Sequence, residues 1–132
     1  MKKLLISALL TIGLVSCTFA QARINSTFAQ LKEEFKYGYN MIIDEGNDGG
    51  IFMVVTLADR EVMYMFDDKM YCFITIIMPT RQGTIQSIIE DYNQKYVIIS
   101  PTRWRFYNNG LYSDITFENL SDTDAFVWRR GD

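Results

Sequence analysis

The chain has 132 residues, 48% of them hydrophobic and 14% aromatic, which suits one packed domain and argues against a disordered segment. Of its 13 Lys and Arg, Lys2 and Lys3 fall in the first 22 residues, which hold no acid, so the remainder carries 11 cations against 16 anions, a net of −5. Phosphate binding needs clustered cations, so nucleic acid is not expected as a partner. The absence of histidine removes Ser-His-Asp and Cys-His catalysis together with the usual zinc sites.

Residues 1–22 read as a bacterial-type secretory signal: Lys2 and Lys3, an apolar run from Leu4 to Val15, then small residues. Its end can be read in two ways. Ala20-Gln21-Ala22 suits cleavage before Arg23, or two residues earlier after Ala20, whereas Leu14-Val15-Ser16-Cys17 resembles a lipobox, where bacterial lipoproteins are cut just before a Cys that becomes acylated. The chain is therefore expected to be exported, either periplasmic or held at the outer membrane as a lipoprotein through Cys17. Residues 23–132 would form a single domain. No later stretch is long and uncharged enough to span a bilayer, so membrane contact is expected only through such an anchor.

Over 24–36, Phe28, Leu31 and Phe35 recur at helical spacing with Ile24 one turn earlier, which predicts a first helix capped by Asn25 or Ser26 and stopped at Gly38. Residues 37–43 predict a short strand, followed by an acidic, glycine-rich segment. Counted from Asp44, the third and twelfth positions of a calcium loop hold Gly46 and Val55, so a solvated hairpin loop is expected there, and no metal.

Three apolar β-rich runs follow between 51 and 78, parted by Asp59-Arg60 and Asp68-Lys69, and predict an antiparallel meander. Two-residue turns would set Val55 opposite Tyr64 and Tyr64 opposite Phe73. Met53, Val55, Val62, Tyr64, Phe66, Tyr71 and Phe73 would then share one face. Phe52, Val54, Met63, Met65, Met70, Cys72, Ile74, Ile76 and Met78 would share the other. Both sets are apolar, so both faces are expected to be covered within the monomer, at least one by the second helix. Cys72, among apolar neighbours, reads as a buried, unreactive thiol.

Ile85, Ile88, Ile89 and Tyr92 predict a second helix, capped by Thr84 and stopped near Asn93. Strands are expected at 95–100, 102–108, 111–118 and 124–129, with Asn109-Gly110 as a two-residue hairpin turn. The sum is an α+β domain: an antiparallel, meander-rich sheet of about six to eight strands with two amphipathic helices packed on it. The predicted order is helix, three or four strands, helix, four strands. Such an architecture by itself licenses no function.

The hairpin turn pairs Tyr107 with Tyr112, Arg105 with Asp114 and Trp104 with Ile115, which places Trp104, Phe106, Leu111, Ile115 and Phe117 on the core side. Arg103, Arg105, Tyr107 and Tyr112 face outward and are the candidate partner-binding residues, because flat rings and guanidinium forks favour contact surfaces. Glu33-Glu34, Asp67-Asp68 and Glu90-Asp91 are adjacent pairs that point apart, so no catalytic residue is assigned, and no cofactor. The expected function is a small exported, non-enzymatic binding or assembly module, acting by contact with an envelope protein, peptide or polysaccharide. A carrier of lipid or another small hydrophobic ligand, using the Met-rich sheet face, is the first alternative. A hydrolase using carboxylates or Tyr is the second.

Overall fold

The computed structural model of the protein describes residues 22–131; Cys17 and the expected signal up to residue 21 lie outside them. Helix α1 spans Phe28–Phe35, and strands β1 (Asn40–Glu45), β2 (Ile51–Thr56), β3 (Arg60–Phe66) and β4 (Cys72–Pro79) follow it. Helix α2 spans Thr84–Lys95 and leads into β5 (Val97–Ser100), β6 (Arg103–Asn108), β7 (Leu111–Leu120) and β8 (Thr123–Arg130). All eight strands form one antiparallel sheet in the order β1-β2-β3-β4-β8-β7-β6-β5. Each helix thus precedes a four-strand meander, and the meanders join through their last strands, Thr75 against Trp128 and Ile77 against Phe126.

The first helix starts later than its apolar stripe suggests. Asn25 N–H bonds the Cys72 carbonyl, Cys72 N–H bonds the Ser26 carbonyl, and Phe28 N–H bonds the Met70 carbonyl, so the backbone of the preceding segment is committed to the sheet end. Thr27, not Asn25 or Ser26, is the N-cap: its side chain accepts from Gln30 N–H while the Gln30 side chain accepts from Thr27 N–H. In α2 the N-cap is Gly83 at φ 88, with Thr84 inside the helix. The helix runs on to Lys95, because Tyr96 N–H still reaches the Tyr92 carbonyl while the Asn93 side chain is engaged elsewhere.

Both helices pack on the same face of the sheet. Leu31 and Phe35 of α1, and Ile88 and Tyr92 of α2, join Met53, Val55, Val62, Tyr64, Trp104, Ile115, Phe126 and Trp128 in one buried cluster. The Phe35 ring stacks on Tyr64 at 5.8 Å. Tyr92 meets Tyr96, Trp104, Phe126 and Trp128 edge-on, and its hydroxyl accepts from Trp128 Nε1 at 2.9 Å. Trp104 Nε1 donates to Asn93 Oδ1 at 2.8 Å, so each indole N–H has a partner.

The expectation that both meander faces are covered is corrected: α1 and α2 cover one. Two like units joined edge to edge by an antiparallel strand pair are related as by a two-fold axis through the sheet, which leaves both helices on one side. The opposite face, with Phe52, Val54, Met63, Met65, Ile74 and Ile76, receives neither helix, and those side chains are half-buried.

The meander register also differs from the two-residue-turn expectation. Val55 pairs with Val62 and Tyr64 with Thr75, a shift of two residues at each turn. The first turn keeps two residues but sits one position earlier, at Ala58-Asp59, closed by Leu57 N–H to the Arg60 carbonyl, while the second is longer, closed by Asp67 N–H to the Tyr71 carbonyl. An even shift leaves the faces unchanged. A bulge between Met65 and Phe66 then re-aims one end of β4: Cys72 turns inward opposite Phe66, while Tyr71 and Phe73 leave the helix-covered face. Met70 leaves the methionine row for the turn, at φ 66.

Candidate contact surface

Strands β6 and β7 turn at Asn109 (φ 51) and Gly110 (φ 80), both left-handed, as a type I′ hairpin requires. The register follows from that turn: Arg103 pairs with Thr116, Trp104 with Ile115, Arg105 with Asp114, Tyr107 with Tyr112. Trp104 and Ile115 are fully buried under α2, and Phe106 and Phe117 are half-buried beside them. Leu111 does not join the core. It pairs with Asn108 at the hairpin tip, outside the buried cluster, and is 60% exposed.

Arg103, Arg105, Tyr107 and Tyr112 are brought together on the helix-free face. Arg105 Nε donates to Asp114 Oδ1 at 3.1 Å and Arg103 Nη2 reaches the same oxygen at 3.3 Å. The Arg105 guanidinium lies 4.4 Å from the centre of the Tyr112 ring, and Tyr112 stands 6.2 Å from Tyr107. On β8, Arg129 donates to Glu118 Oε2 at 2.7 Å and to Thr116 Oγ1 at 3.0 Å, and Thr116 in turn donates to Glu118. The Arg129 guanidinium, then the Thr116 hydroxyl, hold the Glu118 carboxyl below its usual range. Both candidate arginines are thus partly satisfied by Asp114. They frame the surface, with Arg105 over the Tyr112 ring, while Tyr107 stays 56% exposed.

The sequence reading missed how far this face extends. Across the sheet, one outer row runs Thr116, Val127, Ile76, Met63, Val54, Ile42, and the next runs Asp114, Arg129, Ile74, Met65, Phe52, Asp44. An ion-paired half over β6, β7 and β8 therefore adjoins an apolar half over β2, β3 and β4. The signal was present in the double apolar pattern of the meander, but it reads equally well as a core packed on both sides. Both sheet edges add exposed apolar groups: Ile42 and Ile43 on β1, Val97, Ile98 and Ile99 on β5. An open edge also presents unpaired backbone donors and acceptors.

Cys72, Asp67 and Asp48 each have structural partners. Cys72 is buried, with Sγ 3.3 Å from the Ile74 carbonyl and 3.5 Å from Thr75 Oγ1, and burial pushes its thiol up to about 11. The Asp67 carboxylate accepts from the N–H groups of Lys69 and Tyr71 and from Arg130, which closes the β3–β4 turn. In the 46–50 loop, Asp48 Oδ1 accepts from Gly50 N–H and Gly46 N–H bonds the Gly50 carbonyl. Among the described residues no group of three or more Cys, Asp and Glu is placed to hold a metal ion, and no helix is long and apolar enough to cross a membrane. A cleft of about 220 Å³ opens between the first described residues and the hairpin, walled by Ile24, Phe106, Leu111, Tyr112 and Trp128. It is smaller than the roughly 300 Å³ at which ligand pockets usually begin. Comparison with known protein families, curated proteins and solved structures finds no match to this chain.

Proposed function

We propose that the protein is a small exported, non-enzymatic binding or assembly module that meets an envelope protein or peptide through the helix-free face of its sheet. The composition of that face supports it most. A solvated antiparallel sheet face is ordinarily polar. Here Phe52, Val54, Met63, Met65, Ile74 and Ile76 form an aliphatic and thioether field bordered by the Arg103, Arg105, Tyr107 and Tyr112 corner. An apolar centre with a rim of Arg and Tyr is the chemistry of a protein interface. A polysaccharide is a poorer fit, because the centre of the face offers flexible aliphatic groups instead of separated rings.

A photo-crosslinking side chain placed at Met65 should trap one discrete envelope protein in the producing cell, whereas the same group at Glu33, exposed on α1, should not. Equal trapping from both positions, or none from Met65, would sink the reading. An acyl chain retained by the purified protein in native mass spectrometry, and lost in Met65→Glu, would favour the carrier instead.

A further inference from the structure

The first described residues, the hairpin tip and the end of β8 meet at one end of the sheet. Residues 22–26 share a cleft with Asn108, Leu111 and Tyr112, Arg130 reaches Asn25 Oδ1 at 3.4 Å and Asp67 Oδ2 at 3.0 Å, and Gly131 N–H bonds the Tyr112 carbonyl. Ten large hydrophobic side chains are exposed among the described residues, and seven of them lie on or beside the edge strands β1 and β5. The other three, Tyr71, Tyr107 and Leu111, all lie at this one end.

Chain length decides what that end can touch. From Cys17 to Ala22 the backbone spans at most about 18 Å even when fully extended. Strand β7 has ten residues, and at the ordinary rise of a strand it is about 33 Å long. A bilayer anchored through Cys17 therefore lies within reach of the Leu111 end of the sheet, and the tether is too short for the domain to stand on its Leu120 end.

We propose that this end faces the membrane, with Tyr71, Tyr107 and Leu111 seated in the headgroup layer of the bilayer that holds an acylated Cys17. The inference rests on the lipoprotein reading of the signal and is independent of the partner proposed for the sheet face. Tyrosine suits such a position, since its ring is apolar and its hydroxyl stays wet. The charges beside these three side chains, Asp67, Asp68, Lys69 and Arg130, sum to zero, and farther along the same end Glu45 and Asp48 of the β1–β2 loop add only negative charge, so the contact rests on apolar groups and draws nothing from anionic lipid. With the strands standing off the membrane, the helix-free face and both edges remain open to a partner alongside.

Labelling with a fatty-acid analogue should mark the wild-type chain and not Cys17→Ala; an unmarked wild type removes the anchor and the proposal with it. The acylated full-length protein, carrying bimane at Leu111→Cys, Asp122→Cys or Met63→Cys, is then reconstituted into phosphatidylcholine–phosphatidylethanolamine vesicles with brominated acyl chains. Buried Cys72 should stay unlabelled in the folded protein. Emission from position 111 should shift to the blue and lose most of its intensity to the bromines, while positions 63 and 122 keep theirs, and added salt should change neither result. Equal exposure at 111 and 122 would overturn the proposal. Quenching at 63 as strong as at 111 would also overturn it, because the sheet would then lie flat on the bilayer.

Discussion

Tyr92 is the side chain on which the core converges, and its place was half legible. Its spacing from Ile85, Ile88 and Ile89 marks it as the buried stripe of a helix, but nothing local shows that its hydroxyl accepts from Trp128 or that its neighbour Asn93 satisfies Trp104. Those partners lie on strands far along the chain. Tyr92→Phe keeps the ring and strands the Trp128 N–H in an apolar cluster, a loss of about 1–3 kcal/mol. Urea unfolding followed by Trp fluorescence should show it; an unchanged midpoint would mean that the bond carries no weight. Burial also raises the phenols of Tyr64 and Tyr92, takes the Tyr96 phenol up to about 12 and the Cys72 thiol up to about 11. Each is an acid whose neutral form the fold favours, so the unfolded chain releases protons that the folded chain keeps. Stability should be level through neutral pH and fall as pH climbs above about 9, where the unfolded thiol and then the phenols ionise. Midpoints that hold steady up to about pH 11 would contradict this.

Among the elements, the register of the β6–β7 hairpin was legible, though not the exposure of Leu111, and that of the first meander was not, for a physical reason. Asn109-Gly110 can adopt two successive left-handed conformations, so one dipeptide sets both the turn and the register. Asp59-Arg60 and Asp68-Lys69 mark turns without fixing the place of the first or the length of the second, and the bulge at Met65/Phe66 leaves no local trace. The same gap hid the inward turn of Cys72. Gly110 stands at φ 80 with open space where a Cβ would go, so Gly110→Ala meets backbone strain and no clash. It should cost about 1–2 kcal/mol. The double variant Tyr107→Ala, Tyr112→Ala should by contrast stay folded with a smaller change in midpoint, because Tyr107 is exposed and Tyr112 mainly supports Arg105. Thermal unfolding of both variants checks the pair; collapse of the tyrosine variant would place those rings in the core.

At the scale of the molecule, an α+β class with one antiparallel sheet was within reach, since the two helical periodicities and the runs of β-branched residues are strong local signals. The join between the halves was not. The β4–β8 pairing links residues about 50 positions apart, such as Thr75 and Trp128, and puts both helices on one side. From sequence alone, two apolar meander faces and two amphipathic helices match each other one for one. The structure pairs both helices with a single face and leaves the other without a helix.

That vacancy is the central claim, and methionine oxidation tests it most directly. Met53 is fully buried beneath the helices, whereas Met63 and Met65 lie on the helix-free face, half-buried. In the folded protein exposed briefly to dilute peroxide, peptide mass spectrometry should show Met63 and Met65 oxidising well ahead of Met53, and the difference should vanish after unfolding. Protection of Met63 and Met65 equal to that of Met53 would mean that the face is covered within the monomer, and the account of it as a contact surface would be wrong.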